Sequence, residues 1–231
     1  MRLVWYGCSW VKGVRKDIIP FPNLISQNLN LEYENRGKCA TSIDCMVERF
    51  SKDYTTGKLK QSDVVIFCVT SCYRIRWDRY FKSSVFEFME KDVDEIQKAW
   101  LLHFANDDIS SFLAFKNLSL LYFMSKSMNI RCFFVNSFYP LKQKNNNLIP
   151  PENWLMPFDK SCVDILEFPI IEPTPQINDS PNFSIDIWRK QKNQIEKYLI
   201  PNDNHPNQLG NETISNYLTT KLKESLCLYN V

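Results

Sequence analysis

The sequence contains no apolar run near the roughly 20 residues that a membrane-spanning helix needs. Its first residues also lack the long apolar region and the small-residue cleavage site of a secretory signal. No Cys-x-x-Cys pair occurs, and neither Cys68 nor Cys72 has a histidine nearby that would complete a tetrahedral zinc site. These absences predict a cytoplasmic protein that holds no metal and makes no contact with a membrane.

Positive charge is not concentrated in any one part of the chain. The 28 Lys and Arg residues against 26 Asp and Glu leave a net charge of +2, and no basic stripe with interleaved aromatics is visible. The composition therefore predicts no nucleic-acid partner, while it leaves room for charge steering of an anionic substrate. The eight cysteines are dispersed, several of them inside apolar runs, which favours reduced, packed thiols over a disulfide framework.

The sequence alternates strand patterns with helical patterns. Strands are predicted at residues 2–6, 31–35, 63–69 and 130–135. Helices are predicted near residues 21–29, 41–53, 93–128 and 208–227, the third of these as two helices that break at residues 106–108. This order predicts a three-layer α/β/α sandwich with a central parallel sheet, as in flavodoxin-like folds.

One stretch rich in proline and asparagine, at about residues 140–183, interrupts the alternation. We interpret it as loops around a short strand near Val163–Phe168, which either cover the edge of the active-site crevice or form a surface excursion. The length of 231 residues suits one elaborated domain better than two. We therefore expect a single domain over residues 1–231 with this loop-rich insertion.

Chemically active side chains cluster where the predicted strands end. Ser9 follows the first strand, Gly37 the second and Thr70 the third, and parallel sheets bind ligands beyond these carboxyl ends. His205 precedes the last helix, whereas the other histidine, His103, lies in a helical apolar pattern typical of packing residues. A serine hydroxyl becomes a nucleophile when a histidine takes its proton. The pattern predicts a hydrolytic site that forms when folding brings Ser9 and His205 together.

Four blocks in chain order resemble the GDSL/SGNH hydrolase superfamily, particularly a divergent branch seen in bacteria and phages. The blocks are Gly7-Cys8-Ser9, Asn35-Arg36-Gly37, the strand-end Thr70, and Asp203-Asn204-His205-Pro206-Asn207. Members of this superfamily are esterases, lipases, thioesterases and carbohydrate deacetylases. The resemblance therefore implies a hydrolase that works without a metal or an organic cofactor.

The resemblance also implies a role for each matched residue. Ser9 would be the nucleophile and His205 the general base, with Asp203 as the acid that orients the imidazole. The oxyanion hole would consist of the backbone N–H groups of Ser9 and Gly37 together with the Thr70 hydroxyl.

The sequence departs from the family pattern at three positions. Cys8 stands where the family name has an aspartate, and Thr70 stands where an asparagine amide usually reaches the oxyanion. Asn202 occupies the usual position of the acid, three residues before the histidine. Either Asn202 or Asp203 therefore stands behind His205.

Residues near the first and third blocks are candidates for substrate binding. Arg74 or Arg76 would hold a carboxylate or phosphate in a two-pronged contact, with a structural ion pair as the alternative. Four aromatic residues are candidates for a wall against a sugar ring, each with packing as its alternative role: Trp10, Tyr73, Trp77 and Trp154.

Three hypotheses about function remain. The first is a serine esterase that removes a small acyl group, such as acetyl, from a carbohydrate or a related small-molecule ester. The second is a glycan- or ligand-binding module that keeps the fold with weakened catalysis, which Thr70 and the shifted acid favour. The third is a thiol enzyme that uses Cys8, although that side chain should point away from Ser9. The sequence does not indicate an oligomeric state.

Overall fold

The computed structural model describes residues 1–39, 41–70, 74–78, 81–84, 107–137, 148–157, 160–166, 197–201 and 205–227. In chain order the elements are β1 (Arg2–Tyr6), α1 (Ser9–Lys12), α2 (Phe21–Leu29), β2 (Glu32–Asn35), α3 (Ile43–Thr55), β3 (Asp63–Val69), β4 (Arg74–Asp78), β5 (Phe81–Ser84), α4 (Asp107–Ser127), β6 (Arg131–Asn136), a 3-10 turn at Pro151–Asn153, α5 (Cys162–Ile165) and α6 (Gln208–Leu226). No helix in these ranges is long and apolar enough to cross a bilayer.

A four-stranded parallel sheet lies at the centre of the fold, with the strand order β2-β1-β3-β6. In β1, Leu3 lies opposite Tyr33 of β2 on one side and Val64 of β3 on the other. This order is that of flavodoxin-like sheets, in which the ligand crevice opens at the carboxyl ends of the first and third strands. Ser9 and Thr70 follow these two ends.

Helices cover both faces of the sheet, because successive strand residues point to opposite sides. Trp5 and Ile66 pack against α2 and α6, which we call the α2/α6 face. Tyr6 and Phe67 pack against α3 and α4, the α3/α4 face. Every residue of β3 is buried, as its continuous apolar run predicts. The predicted three-layer sandwich with a central parallel sheet is confirmed.

One local prediction is wrong, and one pair of strands was not predicted. The predicted strand near Val163–Phe168 is wrong over its described part, because residues 162–165 form the short helix α5. The cause is a capping box: Ser161 donates its N–H and its hydroxyl to Asp164 Oδ2, at 2.6 and 2.7 Å. The sequence reading also missed the antiparallel pair β4–β5, in which Arg74 lies opposite Ser84.

Candidate active site

Ser9 begins α1 directly after β1. The intervening Cys8 has an extended backbone at the N-cap position, and its carbonyl accepts the N–H groups of Val11 and Lys12, both at 3.1 Å. A Cβ on Gly7 would lie 2.4 Å from Val11 Cγ2, so only glycine lets the helix start this close to the strand. The turn therefore displays Ser9 at the carboxyl edge of the sheet.

His205 lies beside this serine. Its Nε2 atom is 2.7 Å from Ser9 Oγ, although the two residues are 196 positions apart in the sequence. When Nε2 is unprotonated, the Ser9 hydroxyl donates its proton to that nitrogen, which is the arrangement of a nucleophile with its general base. The structure thus brings the predicted nucleophile and the predicted base together.

Backbone pairing holds the turn that carries His205. Ile200 N–H donates to the His205 carbonyl at 2.9 Å, and Asn207 N–H donates to the Tyr198 carbonyl at 2.9 Å. Asn207 also caps α6, because its Oδ1 atom accepts the Gly210 N–H at 2.9 Å. We call residues 198–200 and 205–207 the histidine ladder. The imidazole is positioned by this ladder and by the start of α6.

Gly37 lies against the end of α1. Its N–H donates to Asn35 Oδ1 at 2.9 Å, and Asn35 Nδ2 donates to the Val11 carbonyl at 2.7 Å. A Cβ on Gly37 would lie only 2.5 Å from the backbone nitrogen of Lys12, so a larger residue does not fit. The oxyanion role of Gly37 stays a prediction. It requires the substrate oxygen to replace Asn35 Oδ1 as the acceptor of the Gly37 N–H.

The remaining predicted residues of this edge have different surroundings. Thr70 directly follows β3 and is 2% exposed, and its contact with an oxyanion stays a prediction. Cys8 is fully buried in the core of the α2/α6 face, which argues against the thiol hypothesis. Burial raises the pKa of the neighbouring Cys68 and Cys162 thiols, and the proximity of Cys8 contributes in the same direction. These sulfurs are packing groups.

Several candidates lie outside the described part of the chain. They are Asp203 and Asn202, the two residues considered behind His205, together with Tyr73 and His103. Arg74, Arg76 and Trp77 belong to β4, and their side chains lie outside the described part. The acid and the predicted arginine contact therefore stay predictions.

The described tryptophans do not form one aromatic wall. Trp10 is buried in the core of the α2/α6 face. Trp154 packs on the α3/α4 face, with its ring centroid 5.4 Å from that of Phe134. The two rings lie in the cores of opposite faces of the sheet, and the structure gives Trp154 a packing role. Trp10 also borders the crevice beside Ser9.

A narrow crevice of about 10 Å³ adjoins the Ser9–His205 pair. Its walls include Trp10, Arg15 and Asn211. A volume of this size holds about one water molecule. A larger cavity, of about 780 Å³, lies at the β6 edge against the end of α6, and neither Ser9 nor His205 lines it. The described residues contain no cluster that would bind a metal ion.

Asn211 links the histidine turn to the other wall of the crevice. It is 3% exposed, and its Oδ1 atom accepts the Phe21 N–H at 2.9 Å. Its Nδ2 group donates to the carbonyls of Pro206 and Asn207, at 3.0 and 2.9 Å. Sequence reasoning missed this residue because its partners lie in separate elements.

Replacing Asn211 with alanine is expected to lower kcat for small esters by about ten- to hundredfold, because small displacements of a catalytic group are costly. The buried Phe21 N–H would also lose its acceptor, which costs about 1–3 kcal/mol of unfolding free energy. Steady-state kinetics and urea unfolding measure the two effects. Ser215→Ala is the control, since that buried serine lies one turn later and contacts Asn28 instead. Equal kinetics in both variants would contradict the role of Asn211.

No family model matches the sequence, and no curated protein matches it. Solved structures similar to the chain include a member of the lipolytic protein G-D-S-L family from Veillonella parvula, with 11% identity, a TM-score of 0.44, and coverage of 96% of each chain. An acetylxylan esterase from Geobacillus stearothermophilus has 11% identity and a TM-score of 0.48, covering 96% of this chain and 93% of its own.

An alpha/beta hydrolase from the metagenome of Lake Arreo, Spain, has 11% identity and a TM-score of 0.47, covering 99% of this chain and 96% of its own. Identities and TM-scores of this size do not transfer an activity, so the chemistry is inferred from Ser9 and His205 themselves. In its ordered sequence blocks the chain resembles the GDSL/SGNH hydrolases, and the solved structures similar to it include a protein of the lipolytic G-D-S-L family.

Proposed function

We propose that this protein is a serine ester hydrolase of the SGNH type. The observation that carries the proposal is the 2.7 Å contact between Ser9 Oγ and His205 Nε2. That distance lies within the range of a nucleophile bonded to its general base. The pair lies at the carboxyl edge of a parallel sheet, next to a crevice, which is where such folds bind ligands.

In the proposed reaction, Ser9 Oγ attacks the ester carbonyl carbon while His205 Nε2 takes the hydroxyl proton. The tetrahedral intermediate collapses when the imidazolium returns that proton to the departing alcohol, which leaves an acyl group on Ser9. Water then attacks the acyl-serine, with His205 again as the base. Serine and histidine are thereby regenerated, and the products are an alcohol and a carboxylic acid.

The negative charge of the intermediate requires hydrogen-bond donors. Ser9 is the first residue of α1, and first-turn N–H groups have no acceptor within a helix, so its N–H suits this role. We assign the other two donors to the Gly37 N–H and the Thr70 hydroxyl. Asp203 is the proposed acid behind His205.

The acyl group of the proposed substrate is small. The crevice beside Ser9 has a volume of about 10 Å³, the space of about one water molecule, so a short acyl group such as acetyl is favoured over a long chain. A carbohydrate or a related small molecule is the proposed alcohol.

The test is covalent labelling. A fluorophosphonate is expected to modify Ser9, as located by peptide mass spectrometry, and p-nitrophenyl acetate is expected to be hydrolysed. Ser9→Ala should abolish both, whereas Ser125→Ala, which alters a buried serine of α4, should leave both intact. A protein that is neither labelled nor active on acetylated sugars would refute the proposal.

A binding module with weakened catalysis is the second candidate. It is favoured by the bond between the Gly37 N–H and Asn35 Oδ1, which occupies one proposed oxyanion donor. Calorimetric binding of an acetylated glycan, without turnover and without labelling of Ser9, would favour this candidate over the hydrolase.

A further inference from the structure

The loop between α1 and α2 places an arginine at the crevice. Arg15 borders the same crevice as Ser9 and His205, although it lies only six positions after the serine. Its side chain is 52% exposed, so the guanidinium is accessible from solvent. No block of the family resemblance contains this residue.

The guanidinium of Arg15 already holds a carboxylate. Its Nε and Nη2 atoms donate to the two oxygens of Asp17, at 3.0 and 2.8 Å, in the parallel geometry typical of arginine and carboxylate. These hydrogen bonds lower the pKa of Asp17. Asp17 is 64% exposed, and exposed ion pairs of this kind contribute little to stability. A carboxylate from solution can therefore replace Asp17 at little cost.

Charge around the loop favours such a replacement. Lys12, Arg15 and Lys16 supply three cations between Ser9 and α2, whereas Asp17 is the single carboxylate of that stretch. Of these three cations only Arg15 borders the crevice, so an anion that displaced Asp17 would contact its guanidinium, while Lys12 and Lys16 act only at longer range.

We propose that Arg15 binds a carboxylate carried by the ester substrate, so that the enzyme prefers anionic esters to neutral ones. The inference rests on the proposed hydrolase function. In the absence of substrate, Asp17 occupies the position of the substrate carboxylate. When the substrate carboxylate takes over the guanidinium, the ester group is brought to the neighbouring Ser9.

Matched pairs of substrates test the preference. The acyl half is probed with mono-p-nitrophenyl adipate against neutral p-nitrophenyl adipamate, and the alcohol half with p-acetoxybenzoate against neutral p-acetoxybenzamide. For each pair, the ratio of kcat/KM for the anionic ester to that for the neutral ester is measured. The pair that responds to mutation shows which half of the substrate carries the carboxylate.

Three variants distinguish direct binding of the carboxylate by Arg15 from long-range attraction by positive charge. Arg15→Gln is expected to lower the anionic-to-neutral ratio by about two- to fivefold, the range that an exposed ion pair contributes. Asp17→Asn is expected to raise it by about twofold or more, since the competing carboxylate is removed. Lys16→Gln removes the same charge from a neighbouring exposed residue that does not border the crevice, and should leave the ratio nearly unchanged.

An unchanged ratio in Arg15→Gln, with activity on the neutral esters retained, would overturn the inference and leave the hydrolase function intact. Equal losses in Arg15→Gln and Lys16→Gln would also overturn it, because they would show long-range steering instead of contact. Failure to hydrolyse any of the four esters, together with an unlabelled Ser9, would overturn both proposals.

Discussion

Replacing His205 with alanine is expected to lower kcat for p-nitrophenyl acetate by about 10²–10⁴-fold, the range that a positioned general base contributes. The reason is that Ser9 Oγ would lose the acceptor that lies 2.7 Å away. KM should change little, because proton transfer occurs only on the way to the transition state. Fluorophosphonate labelling of Ser9 should slow in parallel.

The control is the second histidine. His103→Gln should retain full activity, because the sequence predicts that His103 is a packing residue. The His205→Ala protein should remain folded, since backbone bonds of the histidine ladder hold the turn without the imidazole. Thermal unfolding measures this. If His205→Ala stays folded and keeps most of its kcat, His205 is not the base.

Gly210→Ala is expected to reduce both stability and activity. An added Cβ would lie 2.2 Å from the Tyr198 carbonyl oxygen, which is backbone and has no flexible end to move aside. Overpacking of this kind costs about 1–3 kcal/mol of unfolding free energy. The same carbonyl accepts the Asn207 N–H in the histidine ladder, so its displacement should also move His205 and lower kcat.

Urea unfolding and ester hydrolysis measure these two effects of Gly210→Ala. Asn216→Ala, at an exposed position of the same helix, is the matched control and should leave both unchanged, because alanine suits an exposed helix position. If Gly210→Ala were as stable and as active as this control, α6 would not pack on Tyr198 as the structure has it.

The predictions from local pattern succeeded where one physical cause dominated. Residues 64–69 are all apolar and four of the six are β-branched, and with Asp63 they form β3, buried on both faces of the sheet. In α6, Ile214, Leu218 and Leu222 repeat at helical spacing, and all three are fully buried on the α2/α6 face. The spacing of apolar residues was sufficient to predict these two elements, because burial of an apolar face determines whether such a segment forms a strand or a helix.

Prediction failed where polar contacts compete with apolar composition. Residues 162–165 have a strand-like composition, yet the bonds from Ser161 to Asp164 start a helix turn. The β4–β5 pair depends on contacts between two short segments, and neither segment carries a strong pattern of its own. Short elements have too little apolar surface for periodicity to decide their conformation.

By itself the sequence determined the α/β class, the strands and helices with strong periodicity, and the residues Ser9, Gly37, Thr70 and His205 as candidates at strand and helix ends. Only the tertiary structure decided that Ser9 Oγ and His205 Nε2 lie 2.7 Å apart, and that Arg15 borders the crevice beside them. Local pattern predicts which side chains are buried. The distance between two catalytic atoms depends instead on how the parallel sheet and the histidine ladder bring remote segments of the chain together.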